Sequence, residues 1–229
     1  MDFANQTVIV TGGTGALGKA VVATLLAAGA QCRVPYVVEA EASGFPYRDR
    51  VTLVPRCELT NEADIARLYD GVTDLWASIH IAGGFAMGSV ADTDKAGMLH
   101  MMSTNFVTCY LCSRGAVQNF GAGGGRIVNI AARPGVEPRL GGGMAPYVAS
   151  KAAVAAFTQA LAAEVAGRGI LVNAVAPSII DTPANRVAMP NADHAAWPKP
   201  DEIAATIAFL ASPDNKVTTG AIVPVPGRT

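Results

Sequence analysis

Short apolar runs alternate with longer helical stretches along the 229 residues of this chain. Residues 7–10 form a β-branched apolar run, the mark of a buried strand. A glycine-rich turn over 12–18 follows, and an apolar helix over about 19–28 ends at Gly29. Residues 31–38 read as a second strand, interrupted by Pro35, and 51–54 as a third. Asn61 is placed to cap the next helix, with Glu62 and Asp64 favourable in its first turn. Residues 75–82 make a fourth strand running into Gly83 and Gly84. A long helix is expected over about 98–120, a turn at 121–125 and a fifth strand at 126–130. Beyond a loop rich in Gly and Pro come a helix over about 146–166, a sixth strand at 170–175, a helix at 201–211 and a last strand at 221–225.

Strands that alternate with helices imply a parallel sheet covered on both faces. The strands are apolar on both sides, as such burial requires. The expectation is an α/β fold: a Rossmann-like, doubly wound parallel sheet of about seven strands with helices on both faces. No repeat or composition break divides it, so residues 1–229 read as one domain. The stretch 178–200 carries Pro183, Pro190, Pro198 and Pro200 and no strong helical pattern; it reads as a substrate loop or lid that orders when cofactor binds.

The chain is 51% hydrophobic with a net charge of −1, so it can bury a large core and lacks the basic stripe of a nucleic-acid or membrane-surface binder. A small molecule is the expected partner. The first ten residues lack a basic leader pattern and no apolar run reaches membrane-spanning length, which points to the cytoplasm. Cys109 and Cys112 form a lone CxxC in a helical stretch, read as buried thiols. His80, His100 and His194 show no ligand spacing, so no metal site is expected. The helix after Tyr147 is apolar almost all round (Ala152, Ala153, Val154, Ala155, Ala156, Phe157). A sheet covers only one side of it, so a homo-oligomer, dimer or tetramer, is expected to cover another.

Two constellations carry chemistry. Thr11-Gly12-Gly13-Thr14-Gly15-Ala16-Leu17-Gly18 lies between the first strand and first helix. There the glycines allow a tight turn and the helix start offers N–H groups to a pyrophosphate. Tyr147 and Lys151 lie four residues apart, on one helix face. An ammonium beside a phenol favours the phenolate, which would bring the tyrosine's pKa toward neutrality.

Taken with Ala82-Gly83, Asn105, Ile127-Val128-Asn129-Ile130, Val172-Asn173-Ala174-Val175-Ala176-Pro177 and Asp181-Thr182-Pro183, these motifs resemble the short-chain dehydrogenase/reductase family over nearly the whole chain. The resemblance implies a nicotinamide-dependent oxidoreductase using NAD(H) or NADP(H). Tyr147 would exchange the proton, Lys151 would tune it and hold the nicotinamide ribose, and Asn105 would hold a relay water. The cofactor would lie against Gly12, Thr14, Gly15, Ala16, Leu17, Gly18, Tyr36, Glu58, Leu59, Ala82, Gly83, Gly84, Tyr147, Lys151, Pro177, Ile180 and Thr182. The alternatives to these roles are a core amide for Asn105, a helix cap for Thr182 and a surface acid for Glu58.

The departures are informative. An acid is expected at the end of the second strand, where Tyr36 stands with Glu39 beyond it, so NAD and NADP stay undecided. The usual Asn-Asn-Ala-Gly is His80-Ile81-Ala82-Gly83, and His80 reads as a packed, hydrogen-bonded residue. The usual catalytic serine is Ala132. One branch, dihydropteridine reductase-like, lacks that serine. The present chain is similar to it at Ala82-Gly83-Gly84-Phe85, Ala131-Ala132-Arg133, Gly143-Met144 and Asp181 through Trp197. That resemblance implies a carbonyl or a conjugated, quinonoid dihydropterin-like imine as substrate. Phe85, Ala132, Arg133 and Trp197 would face it, although Phe85 and Trp197 read equally as packing aromatics. A catalytically silent dinucleotide sensor is the alternative that the missing serine raises.

Overall fold

A computed structural model describes residues 1–229 as a seven-stranded, wholly parallel sheet of order β3-β2-β1-β4-β5-β6-β7. The strands are β1 (Thr7–Thr11), β2 (Gln31–Pro35), β3 (Thr52–Val54), β4 (Leu75–His80), β5 (Gly125–Ile130), β6 (Ile170–Pro177) and β7 (Ile222–Val225). The helices are α1 (Ala16–Ala27), α2 (Glu39–Ser43), α3 (Glu62–Tyr69), α4 (Lys95–Met102), α5 (Thr108–Asn119), α6 (Arg133–Val136), α7 (Ala145–Glu164), α8 (Pro183–Ala188) and α9 (Pro200–Ala211). No helix is long and apolar enough to cross a membrane.

Alternation along each strand sorts the core into two layers. Val8, Val10, Ala77, Ile79, Val128 and Ile130 face α1 and α9, whereas Ile9, Ile127 and Val172 face α3, α5 and α7. Strand order reverses between β1 and β4. Crossovers leave the sheet there in opposite directions, and a crevice opens at the carboxyl ends of those two strands.

Four expectations need correction. The second strand ends at Pro35 rather than 38, because the carboxylate of Glu41 takes the Val37 N–H (3.3 Å) and the chain turns into α2. The fourth ends at His80. The long helix is two helices, α4 capped by Asp94 and α5, joined by a π-helical segment, Ser103–Val107, that places Asn105 inward. Residues 178–200 contain α8 and a short 3-10 turn at His194–Ala196; Thr182 caps α8, its Oγ1 accepting the Asn185 N–H at 3.2 Å.

On the α3/α5/α7 side the core carries a polar seam. His80 is 3% exposed. Asn129 donates its Nδ2–H to Thr158 (2.9 Å), so its Oδ1 faces His80 Nδ1 at 2.8 Å and that nitrogen carries the proton. Nε2 then accepts from Ser78 Oγ at 2.9 Å, and Ser78 also meets the buried Tyr69 hydroxyl at 2.8 Å. His80 is therefore a core histidine, and burial pushes its pKa down to about 4. Between that value and the ordinary 6.5 the unfolded chain binds the extra proton. Stability is thus present above 6.5 and lost as pH falls toward 4, by at most about 1.4 kcal/mol per pH unit. Urea midpoints measured from pH 7 to 4 should fall more steeply for the parent chain than for His80→Gln. Parallel curves would refute the buried neutral imidazole.

Candidate active site

The crevice is lined first by glycine. At Gly12 (φ +66°) an added Cβ would lie 2.7 Å from the Ala82 nitrogen, so the exits of β1 and β4 touch through bare backbone. At Gly18 it would lie 2.1 Å from the Gly12 carbonyl oxygen, and at Gly13 it would lie 2.8 Å from Val34. The turn can close in this form only without side chains. Helix α1 starts at Ala16, earlier than the pattern suggested, and no side chain caps it. Its first N–H groups therefore have no partner within the helix and point out of the crevice mouth. Such a cradle fits a pyrophosphate. Gly15 and Ala16 are exposed there and Thr14 half-buried, while Leu17 turns inward to the core at 6% exposure.

Lys151, on α7, is buried at 6% exposure and donates from Nζ to the Ile130 carbonyl at the end of β5 (2.8 Å). A Cβ on Gly83 would stand 3.4 Å from that Nζ and 2.6 Å from Asn105 Oδ1, so lysine and asparagine converge on the β4 exit. Gly135 allows α6 to lie against the Lys151 stem, since a Cβ there would meet the Lys151 Cβ at 2.8 Å. Burial lowers the Lys151 pKa to about 8. Tyr147 is half-buried, and Phe85, itself 59% exposed, lies edge-on to its ring at 5.0 Å. Burial raises the Tyr147 pKa to about 12. The expectation that the lysine depresses the phenol is not met: the ammonium is engaged by Ile130, and desolvation governs the phenol.

Asn105 makes a reciprocal clamp on Gly84, accepting its N–H and donating to its carbonyl, both at 3.0 Å. Its Nδ2 also donates to Ser150 Oγ at 3.1 Å, and Ser150 donates to the Tyr147 carbonyl at 2.7 Å. Ser150 is the residue sequence reasoning missed. It ties the β4 exit to the first turns of α7, and its only signal was a small hydroxyl inside Tyr147-Val148-Ala149-Ser150-Lys151.

The remaining candidates divide. Ala82 lies against Gly12, with its N–H 3.4 Å from Thr11 Oγ1. Pro177 ends β6, and Ile180 packs on the core just beyond it. Tyr36 donates to Glu39 Oε2 at 2.9 Å at the end of β2. Glu58 holds Thr60 through its N–H (3.3 Å) and hydroxyl (3.1 Å), and Leu59 is buried. Ala132 is buried at 3% exposure and carries no hydroxyl into the site. Two substrate assignments are corrected. Trp197 is 5% exposed, its ring 4.6 Å from that of His194, and reads as a packing aromatic. Arg133 turns away to Glu137 (3.2 Å) and to the Thr229 main-chain oxygen.

Residues 6–193 match the short chain dehydrogenase family, and the chain belongs to it. It is an NAD(P)-dependent oxidoreductase of that family. It is 34% identical to galactitol 2-dehydrogenase of Rhizobium johnstonii, over 96% of this chain and 93% of that one. It is 29% identical to the 3-oxoacyl-(acyl-carrier-protein) reductase FabG of Rickettsia bellii, over 99% and 98% of the two chains. Among solved structures, that of gox2181 superposes with a TM-score of 0.91 at 28% identity, covering 99% and 96%.

Gly18→Ala tests the cradle. Placing a methyl 2.1 Å from the Gly12 oxygen must open the turn. Losing several charge-assisted phosphate contacts should weaken NADH binding by about a hundredfold or more in fluorescence titration, with the fold retained by circular dichroism. Affinity within about twofold of the parent would contradict the assignment.

Proposed function

We propose that the chain is a reductase of a small carbonyl or conjugated imine, related to the dihydropteridine reductase-like branch. Tyr147 is its proton donor. The observation that carries this reading is the pairing of a phenol held protonated with an alanine at position 132. A tyrosine whose pKa is near 12 keeps its proton across neutral pH, which suits the donor role and hence the direction of reduction. A catalytic serine would polarise the substrate oxygen, and removing one such donor ordinarily costs about 10²–10³ in rate. Ala132 supplies none, so the substrate's accepting atom has to be electrophilic already, as in a quinonoid ring imine. When bound, the nicotinamide supplies the hydride. Asn105 ties the β4 exit to α7 and Lys151 ties α7 to the end of β5 beside Tyr147, and the exposed Phe85 ring offers a flat apolar surface next to the phenol. Tyr147→Phe should lower turnover of quinonoid dihydropterin or an activated ketone by about 10²–10⁴ while NADH binding is kept. Turnover within a few-fold of the parent would remove Tyr147 from this role. Dinucleotide binding with no turnover of any ketone, alcohol or pterin would favour the silent sensor.

We also propose a preference for NADH. Arg33 points at the Arg67 carbonyl (3.2 Å), so β2 offers no arginine to a ribose 2′-phosphate. Arg48 and Arg56 lie near enough to Tyr36 to lower its pKa, yet the net shift is upward, led by the hydrogen bond to Glu39. Glu39 is the acid just beyond the end of β2, held there by the Tyr36 hydroxyl. Two unit charges 4 Å apart interact by about 1 kcal/mol even in bulk water, so a phosphate beside Glu39 should lose on the order of tenfold in affinity. Titration should show NADH binding more tightly than NADPH by about that factor, and Glu39→Gln should narrow the gap. Equal affinities in the parent chain would overturn the preference without touching the reductase reading.

A further inference from the structure

Residues 226–229 lace together two walls of the cleft that are far apart in sequence. On one side, Ser178 Oγ donates to the Pro226 carbonyl at 2.8 Å. The Arg228 N–H donates to the Ala196 carbonyl at 2.8 Å, and its Nη2 to the Ala195 carbonyl at 2.7 Å. Gly227 (φ +68°) passes so close that an added Cβ would lie 2.6 Å from the Ala196 oxygen and 2.7 Å from the Pro198 nitrogen. On the other side, Arg133 Nη1 donates to the Thr229 main-chain oxygen while Nε is held by Glu137. Arg133 immediately follows Ala132, in the first turn of α6. The segment being held is itself closed at the neck, where the Asp181 N–H donates to the Pro198 carbonyl at 2.9 Å. Inside it, Arg186 grips Asp181 through two bonds, at 2.6 and 2.9 Å. These bonds close it into one compact loop.

We propose that Arg133 and Arg228 are positioning residues: through residues 226–229 they hold the 178–198 loop against the helix that follows Ala132, closed over the nicotinamide end of the cleft. What the loop covers rests on the cofactor reading above; the clasp itself does not. The loop carries Thr182, so its position sets where that hydroxyl stands. The guanidinium fork matters at both ends, because each arginine meets main-chain oxygen from a fixed direction.

The test is amide hydrogen exchange by mass spectrometry on the parent chain, Arg133→Ala, Arg228→Ala and Arg228→Lys, with NADH dissociation followed by stopped-flow fluorescence. Loss of one net hydrogen bond should speed exchange across 181–198 by about fivefold in each alanine variant. Exchange in β1 and α1 should stay unchanged, and Arg228→Lys should fall between. NADH should leave several-fold faster from both alanine variants. Parent-like exchange in the loop, or an increase spread evenly through the chain, would overturn the clasp. Faster loop exchange with an unaltered NADH off-rate would overturn closure over the cofactor. Should NADH fail to bind the parent chain, the cofactor reading fails, and the exchange arm still decides the clasp.

Discussion

The approach of Gly12 to Ala82 is the constraint on which the site depends. Strands β1 and β4 are neighbours in the sheet, but their crossovers leave in opposite directions, and the two exits meet with no room for a methyl between them. A side chain at position 12 would push the exits apart and would also be strained at φ +66°. With the exits in contact, the start of α1 and the Gly83-Gly84 turn face a common opening. The phosphate cradle and the hydride-transfer end thus come from one packing requirement.

A second layer of constraint is polar and buried. Asn105 can clamp Gly84 because the π-helical segment turns its amide inward, and Ser150 carries that clamp on to the backbone of Tyr147. Lys151 comes to the same place through the Ile130 carbonyl. Each group has a partner, as burial requires, since an unpaired one would forfeit its hydration without return. Below them the His80 seam joins β4, β5, α3 and α7 by side-chain bonds. Helix α7 is thereby fixed to the sheet at several depths, and the position of Tyr147 follows from the whole arrangement rather than from its own contacts.

The seven strands and their parallel arrangement were legible because buried β-branched runs such as residues 7–10 admit few other readings. The glycine cradle and the Tyr147/Lys151 pair were legible for a similar reason: their spacing is meaningful only in one local geometry. What could not be read depends on contacts distant in sequence. The break between α4 and α5 answers to Gly84, twenty-one residues before Asn105. The order in 178–198 comes from residues 226–229 and from Asp181 meeting Pro198. Trp197 and Arg133 looked like ligand-facing residues because an aromatic and a cation beside a site suggest recognition. His194 and Thr229 claim them instead, and neither contact has a sequence signature.

The absent serine and the raised phenol pKa bear on one another. A serine hydroxyl beside the tyrosine would give the phenolate a hydrogen-bond donor and lower the cost of the charged form. Ala132 removes that donor, and Lys151 is held 2.8 Å from a backbone oxygen rather than from the phenol. With neither group offsetting it, burial keeps the proton on Tyr147. On the reading proposed above, Tyr147 delivers a proton more readily than it draws one from an alcohol, where a phenolate base is needed at the outset. Under that proposal the acceptor is a centre that becomes strongly basic as hydride arrives, and a conjugated imine nitrogen is such a centre. The proposed substrate, electrophilic before it binds, is the kind that would need no serine hydroxyl to polarise it.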